Sequence, residues 1–267
     1  MGRFRSLRFI SVLAVIALTT GSMNVLAKED EGNDGNDGNN HLRAVPWIFV
    51  GTAAQCAPSP AGSRIVTSAW LGGMGLPDNG GLNGVAATRN DPHRGLLLNK
   101  NGLTADCSSS GATIKGVKGM TVTKGFQLGY DYRIGGHCGA GAPRFNVDTD
   151  QGFFFVGCVN ALQTPALQDA QWTQTRSDVT ACGVECFNAT LGIQGSIPVG
   201  AKIKSIDIVF DEGTDTTSPS DPTGVGLAVL DNIDVNGTLI TSGSGIEPSG
   251  GGRDDENHGG HGKGNGD

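Results

Sequence analysis

Apolar and polar residues alternate in short runs along most of this chain, and turn residues punctuate the runs. A period of two puts successive side chains on opposite faces of a strand, so the pattern predicts β-structure. The expected strands are Ile65–Trp70, Gly95–Asn99, Ala112–Val117, Thr121–Thr123, Phe126–Arg133, Arg144–Thr149, Phe153–Cys158, Trp172–Ala181, Lys202–Asp211, Val225–Val235 and Thr238–Ile240. Hairpin chemistry stands at Asn101-Gly102, at Asp150-Gln151-Gly152 and at Asn236-Gly237. No segment sustains apolar spacing of three and four residues, although Ala166–Ala170 suits a helical turn. Many short strands with regular turns predict an all-β, two-sheet sandwich of jelly-roll type.

Alternation also assigns faces. Tyr130 and Tyr132 share one side of their strand, Asp131 and Arg133 the other; Phe145 and Val147 oppose Arg144 and Asn146. If these two strands pair across the loop 135–141, Asp131, Arg133, Arg144 and Asn146 make one polar patch with His137 at its rim. Such a patch is either a solvated face with cross-strand ion pairs or a shallow site whose forked Arg donors and amides bind sugar hydroxyls. Trp70 and Trp172 are available as sugar platforms, yet a lone Trp in a strand is more often core.

The stretch 205–241 carries seven carboxylates and no Lys or Arg: Asp207, Asp211, Glu212, Asp215, Asp221, Asp231 and Asp234. In Val225–Val235 the apolar parity runs through Val225, Leu227, Val229, Ile233 and Val235, and Asp231 falls on the same side. A buried carboxylate needs donors or a cation. One reading is a structural Ca²⁺ held by Asp211, Glu212, Asp215 and Asp231, because hard carboxylate oxygens suit that ion. The other is a β-bulge that turns Asp231 outward, or a turn capped by its side chain.

Composition adds the compartment. Arg3, Arg5 and Arg8 precede an apolar run, Phe9 to Leu18, and Val25-Leu26-Ala27 suits a cleavage site, so residues 1–27 are expected to be a secretory signal. The run falls short of the ~20 residues a membrane span needs. Residues 28–41 and 244–267 are Gly-rich, polar and expected to be disordered. The histidines of His258-Gly-Gly-His261 are expected to belong to that solvated tail. Residues 42–243 are expected to form the single sandwich domain, and the mature protein to be secreted, extracellular or periplasmic, without a membrane span. The chain's formal charge is −7 and, beyond the expected signal segment, nothing basic clusters, which argues against a nucleic-acid partner.

The six cysteines number evenly and match no zinc spacing, so disulfides are expected. The sequential pairing is Cys56–Cys107, Cys138–Cys158 and Cys182–Cys186, each worth ~2–4 kcal/mol.

Gly224-Val225-Gly226-Leu227-Ala228-Val229-Leu230-Asp231-Asn232-Ile233-Asp234-Val235 resembles the closing strands of secreted bacterial jelly-roll modules, among them carbohydrate-binding-module-like and galactose-binding-like domains. Asp231 and Asn232 carry the match position by position. The resemblance implies a non-catalytic module for extracellular polysaccharide with a structural calcium near the sheet edge. The rival expectations are a structural or adhesive surface protein, and behind it a glycoside hydrolase. No Gly-x-Ser-x-Gly marks a nucleophile, and nothing singles out the carboxylate pair a glycosidase uses.

Overall fold

A computed structural model describes residues 42–62, 65–77, 93–166, 169–241 and 245–246. The expected signal segment, the acidic linker and most of the Gly-rich tail lie outside the described residues.

In chain order the strands are β1 (Arg43–Phe49), β2 (Val66–Leu71), β3 (Gly95–Lys100), β4 (Ser109–Lys115), β5 (Gln127–Arg133), β6 (Arg144–Thr149), β7 (Gly152–Val156), β8 (Leu162–Pro165), β9 (Trp172–Asp178), β10 (Cys186–Asn188), β11 (Ile193–Gln194), β12 (Ile203–Phe210), β13 (Leu227–Val235), β14 (Thr238–Ile240) and β15 (Gly245–Ile246). One short helix, α1 (Ala53–Cys56), begins in a capping box in which Thr52 and Gln55 satisfy each other's backbone N–H groups.

Among the described residues the strands form two sheets. One runs β1-β4-β12-β6-β7-β10-β11 and the other β15-β2-β3-β13-β5-β9-β8, with β14 on β13. All pairings are antiparallel except β15 with β2. The late strands β12 and β13 insert between older neighbours, β12 between β4 and β6, β13 between β3 and β5. β7 and β9 then flank β6 and β5. That interleaving is the jelly-roll order of two Greek keys, and the expected fold is correct.

It also overturns two local pairings. β5 and β6 lie in opposite sheets, because the chain crosses over between them, so the expected β5–β6 pair does not exist. Asn101-Gly102 does not close a hairpin either, since β3 and β4 belong to different sheets. The other two hairpins form as expected: Thr149 pairs with Gly152, and Val235 with Thr238. Thr121–Thr123 contributes only a single bridge, Thr121 to Lys202. Strand β1 went unexpected because Pro46 interrupts its run; at a sheet edge the missing N–H does no harm. For the Ala166–Ala170 turn, residues 167 and 168 lie outside the described residues.

The inner faces of both sheets bury one large core, with Trp70, Leu98, Tyr130, Phe145, Phe154 and Leu230 at its centre. A second, smaller cluster sits on the far side of the β15-to-β8 sheet, where Leu76, Ala166 and Trp172 pack on Val229. That sheet is therefore covered on both sides. Trp70 and Trp172 are both buried, and Trp70 Nε1 donates to the Ala44 carbonyl at 2.9 Å.

All three expected disulfides are present: Cys56–Cys107, Cys138–Cys158 and Cys182–Cys186. Among the described residues no helix is long and apolar enough to cross a membrane.

Candidate functional site

The five residues expected in one polar patch separate into three places. Asp131 is buried on the covered side of its sheet, where its carboxylate meets Arg176 at 3.2 Å and accepts from Asn232 Nδ2 at 2.8 Å. Burial holds its pKa above the ordinary carboxylate value, against the hydrogen bond from Asn232 and the charge of Arg176. Arg133 is exposed and donates to Gln171 Oε1 at 3.0 Å. His137 is buried in the β5–β6 loop. Only Arg144 and Asn146 stay together, on β6, joined by an Arg144 Nε to Asn146 Oδ1 hydrogen bond of 3.0 Å.

Those two residues lie on the open side of the β1-to-β11 sheet. Their alternates on the same strands, Ala112, Ile114, Ile206, Ile208, Phe145 and Val147, all face the core. Register then assembles the opposite side row by row. Val45, Thr113, Asp207, Asn146, Phe155, Phe187 and Gln194 stand side by side across seven strands. In the next row Trp47, Gly111, Val209 and Arg144 align. Trp47, Thr113, Asp207, Asn146, Phe155 and Phe187 are all half-buried.

Packing orders this surface. The rings of Phe155 and Phe187 stack with centroids 6.3 Å apart, and Phe153 meets Phe155 edge-on at 5.3 Å. The Arg144 guanidinium lies 4.8 Å from the Phe155 centroid. Its N–H groups go to Asn146 Oδ1, to the Gly141 carbonyl at 2.6 Å, and to both oxygens of Asp211 at 2.7 and 2.8 Å. Its charge is therefore already matched by the Asp211 carboxylate. Thr113 Oγ1 donates to Asp207 at 2.6 Å, while burial raises the Asp207 pKa. Trp47 lies over Gly111: a Cβ there would collide with its indole and with the Ile208 carbonyl. Four strand spacings separate β1 from β7, so Trp47 and Phe155 bracket a polar strip about 19 Å wide. Sequence reasoning missed Trp47 because Pro46 hid its strand. It missed Phe155 and Phe187 because it offered only tryptophans as platforms.

The four carboxylates expected around calcium do not converge. Asp211 pairs with Arg144. Glu212 meets His137 Nε2 at 2.7 Å. Asp215 accepts from the backbone N and the hydroxyl of Thr104, both at 2.7 Å, and these bonds hold its pKa low. Asp231 is buried but does not face the core between the sheets. The pairing of β13 with β5 shifts between Asp231 and Asp234, and Asn232 takes a φ of +44° at that irregularity. This bulge reverses the parity, so Leu227, Val229 and Asp231 face the covered outer side while Ile233 and Val235 face the core. There the Asp231 carboxylate accepts from Leu76 N and Asn232 N, each at 2.7 Å. Among the described residues no group of three or more His, Cys, Asp or Glu is placed to hold a metal ion. The expected residues do not fit a single calcium shell.

His137 joins the β5–β6 loop to the β12–β13 loop. Its Nε2 meets Glu212, and its Nδ1 meets Asp221 Oδ2 at 3.0 Å. Phe210 lies edge-on to the imidazole at 5.9 Å. Burial alone would lower the His137 pKa, but the two carboxylate hydrogen bonds and their charges together raise it. Carboxylate partners at both nitrogens favour the protonated ring, which can donate to each. Asp221 in turn also accepts from Val225 N at 2.9 Å.

No protein-family model matches the chain, and no curated protein or solved structure matches it either.

Proposed function

We propose that this chain is an exported, non-catalytic jelly-roll module that binds a neutral extracellular glycan across the open side of its β1-to-β11 sheet. One observation carries the reading: the registered strip of Thr113, Asp207 and Asn146 bounded by Trp47 on one flank and by Phe155 and Phe187 on the other. Aromatic faces pack on the apolar faces of sugar rings, and amides, hydroxyls and carboxylates hydrogen-bond ring hydroxyls. A ligand lying along the rows crosses the strands and meets both aromatic flanks. Within the two rows the cation is Arg144, which is paired with Asp211, while Arg43 and Lys115 stand one row beyond Val45 and Thr113. Contact along the rows therefore rests on aromatic faces and neutral hydrogen-bonding groups, which suits an uncharged polysaccharide. Three disulfides support an oxidising compartment.

Retention on immobilised neutral polysaccharides tests the reading. Trp47→Ala and Phe155→Ala should each weaken binding by about tenfold, given ~1–3 kcal/mol for a buried anchor contact. Arg133→Ala, on the covered sheet, should leave retention unchanged. Failure of the wild type to bind any polysaccharide would transfer the assignment to a structural or adhesive surface protein.

A further inference from the structure

We propose that the ammonium group of Lys100 is a tethered cation that fills an oxygen cage and organises the loops at one end of the sandwich as a bound metal ion would. Lys100 ends β3 and is completely buried. Its Nζ donates to the carbonyls of Thr104, Asp106 and Asp211 at 3.1, 2.9 and 2.8 Å. Asp106 Oδ1 lies 3.2 Å away. Three carbonyls match the three N–H groups of an ammonium, and the carboxylate balances its charge. Carbonyl and carboxylate oxygens converging from two loops are also what a hard cation such as Ca²⁺ takes.

The cage connects segments distant in sequence. Thr104 and Asp106 come from the β3–β4 loop, which the Cys56–Cys107 disulfide anchors. Asp211 comes from the acidic loop after β12, and the Lys100 backbone N donates to Gly226 O at 2.9 Å near the end of the same loop. Asp106 is also held by Ser108, whose backbone N and hydroxyl donate to the same Oδ1 that faces Lys100. Burial would raise the Asp106 pKa, yet the Ser108 bonds and the Lys100 charge lower it, consistent with a carboxylate facing an ammonium. The acidic loop therefore gives its Asp211 carbonyl to a cation carried by another strand.

Thermal unfolding of the full chain in chelator and in millimolar CaCl₂, NaCl or KCl tests this. The wild type should keep one midpoint in all four. Lys100→Met, which fills the space without charge, should unfold at a lower temperature that no cation restores. Lys100→Ala, which opens the cage, should be lowered in chelator and raised by at least one of the cations by more than about 3 °C. A wild-type midpoint that falls in chelator overturns the proposal. So does Lys100→Ala responding to cations no more than Lys100→Met. If the variants do not accumulate as folded protein, ¹⁵N-lysine NMR of the wild type decides. A slowly exchanging Lys100 NH₃⁺ resonance at neutral pH supports the cage, and loss of that resonance to solvent exchange overturns it.

Discussion

His137 shows how one buried side chain can set a pH profile. Its pKa is raised in the folded state by Glu212 and Asp221, so its contribution is complete below the unfolded value near 6.5. That contribution is lost as pH rises through the higher folded value. Asp221 works at the other end: burial opposes its ionisation, but Val225 N–H and His137 prevail and lower its pKa. Its contribution is lost as pH falls through that depressed value. Arg144, whose charge also reaches Glu212, stays protonated throughout. The melting temperature should thus decline from neutral toward alkaline pH, and His137→Gln should abolish that decline. The variant should also lose about 3 kcal/mol, because two carboxylates lose a buried partner. Parallel pH profiles for wild type and variant would refute the assignment. Asp231 is a second case. Replacement by Asn weakens the acceptor for Leu76 N and Asn232 N, so about 2 kcal/mol should be lost in urea unfolding. The Leu76 amide should exchange faster with deuterium. These residue-scale partners were hidden in the sequence: Glu212 and Asp221 stand 75 and 84 positions from His137, and no local spacing links them.

Strands were legible where alternation and turn chemistry agree. Asn236-Gly237 closes a hairpin because two-residue turns favour asparagine and glycine at positive φ, and these residues have φ of +52° and +84°. In the β6–β7 hairpin the turn residues are Asp150 and Gln151, and Gly152, paired with Thr149, takes a φ of +140°. Pairing between strands was less legible. β5 and β6 are neighbours in sequence, yet β12 and β13 enter later and take the places beside them. Alternation says which side chains share a face of one strand and nothing about which sheet the strand joins. The expected patch therefore kept Arg144 and Asn146, lost Asp131, Arg133 and His137, and gained Asp207, Thr113 and Phe155. The bulge at Asn232 is the second failure of parity, since one extra residue reverses every following side chain. Gly111 tests the element directly. Gly111→Ala puts a Cβ against the Ile208 carbonyl across β4 and β12 and against the Trp47 indole. The backbone cannot yield as a side-chain tip does, so the variant should be destabilised by about 1–3 kcal/mol. Glycan retention should weaken as Trp47 is displaced. Unchanged stability together with unchanged retention would mean that Trp47 does not lie against this strand pair as described.

Across the whole molecule, four of the seven carboxylates of the segment 205–241 meet cations in space, while Asp207, Asp215 and Asp231 accept from hydroxyl or backbone N–H groups. The segment has no Lys or Arg of its own, but Arg144 meets Asp211, His137 meets Glu212 and Asp221, and Arg176 meets Asp234 at 3.1 Å. Lys100 holds the Asp211 carbonyl. These cations all come from earlier strands and loops, so the late strands β12 and β13 are keyed electrostatically into positions that topology opens for them. The disulfides act on the same long-range problem by limiting the unfolded chain. Their separations of 51, 20 and 4 residues correspond in the loop-entropy model to about 4, 3 and 2 kcal/mol. Cys56–Cys107 has a further role, because it anchors the loop that carries Thr104 and Asp106 to the caged Lys100. Replacing Cys56 and Cys107 together by Ser should therefore lower the unfolding free energy more than replacing Cys182 and Cys186. The separation between them should exceed the ~2 kcal/mol expected from loop length alone, since the Lys100 cage loosens as well. Equal losses from the two double variants in urea titrations at pH 7 would show that the β3–β4 loop is held without its cystine, and that the cage and the disulfide act independently.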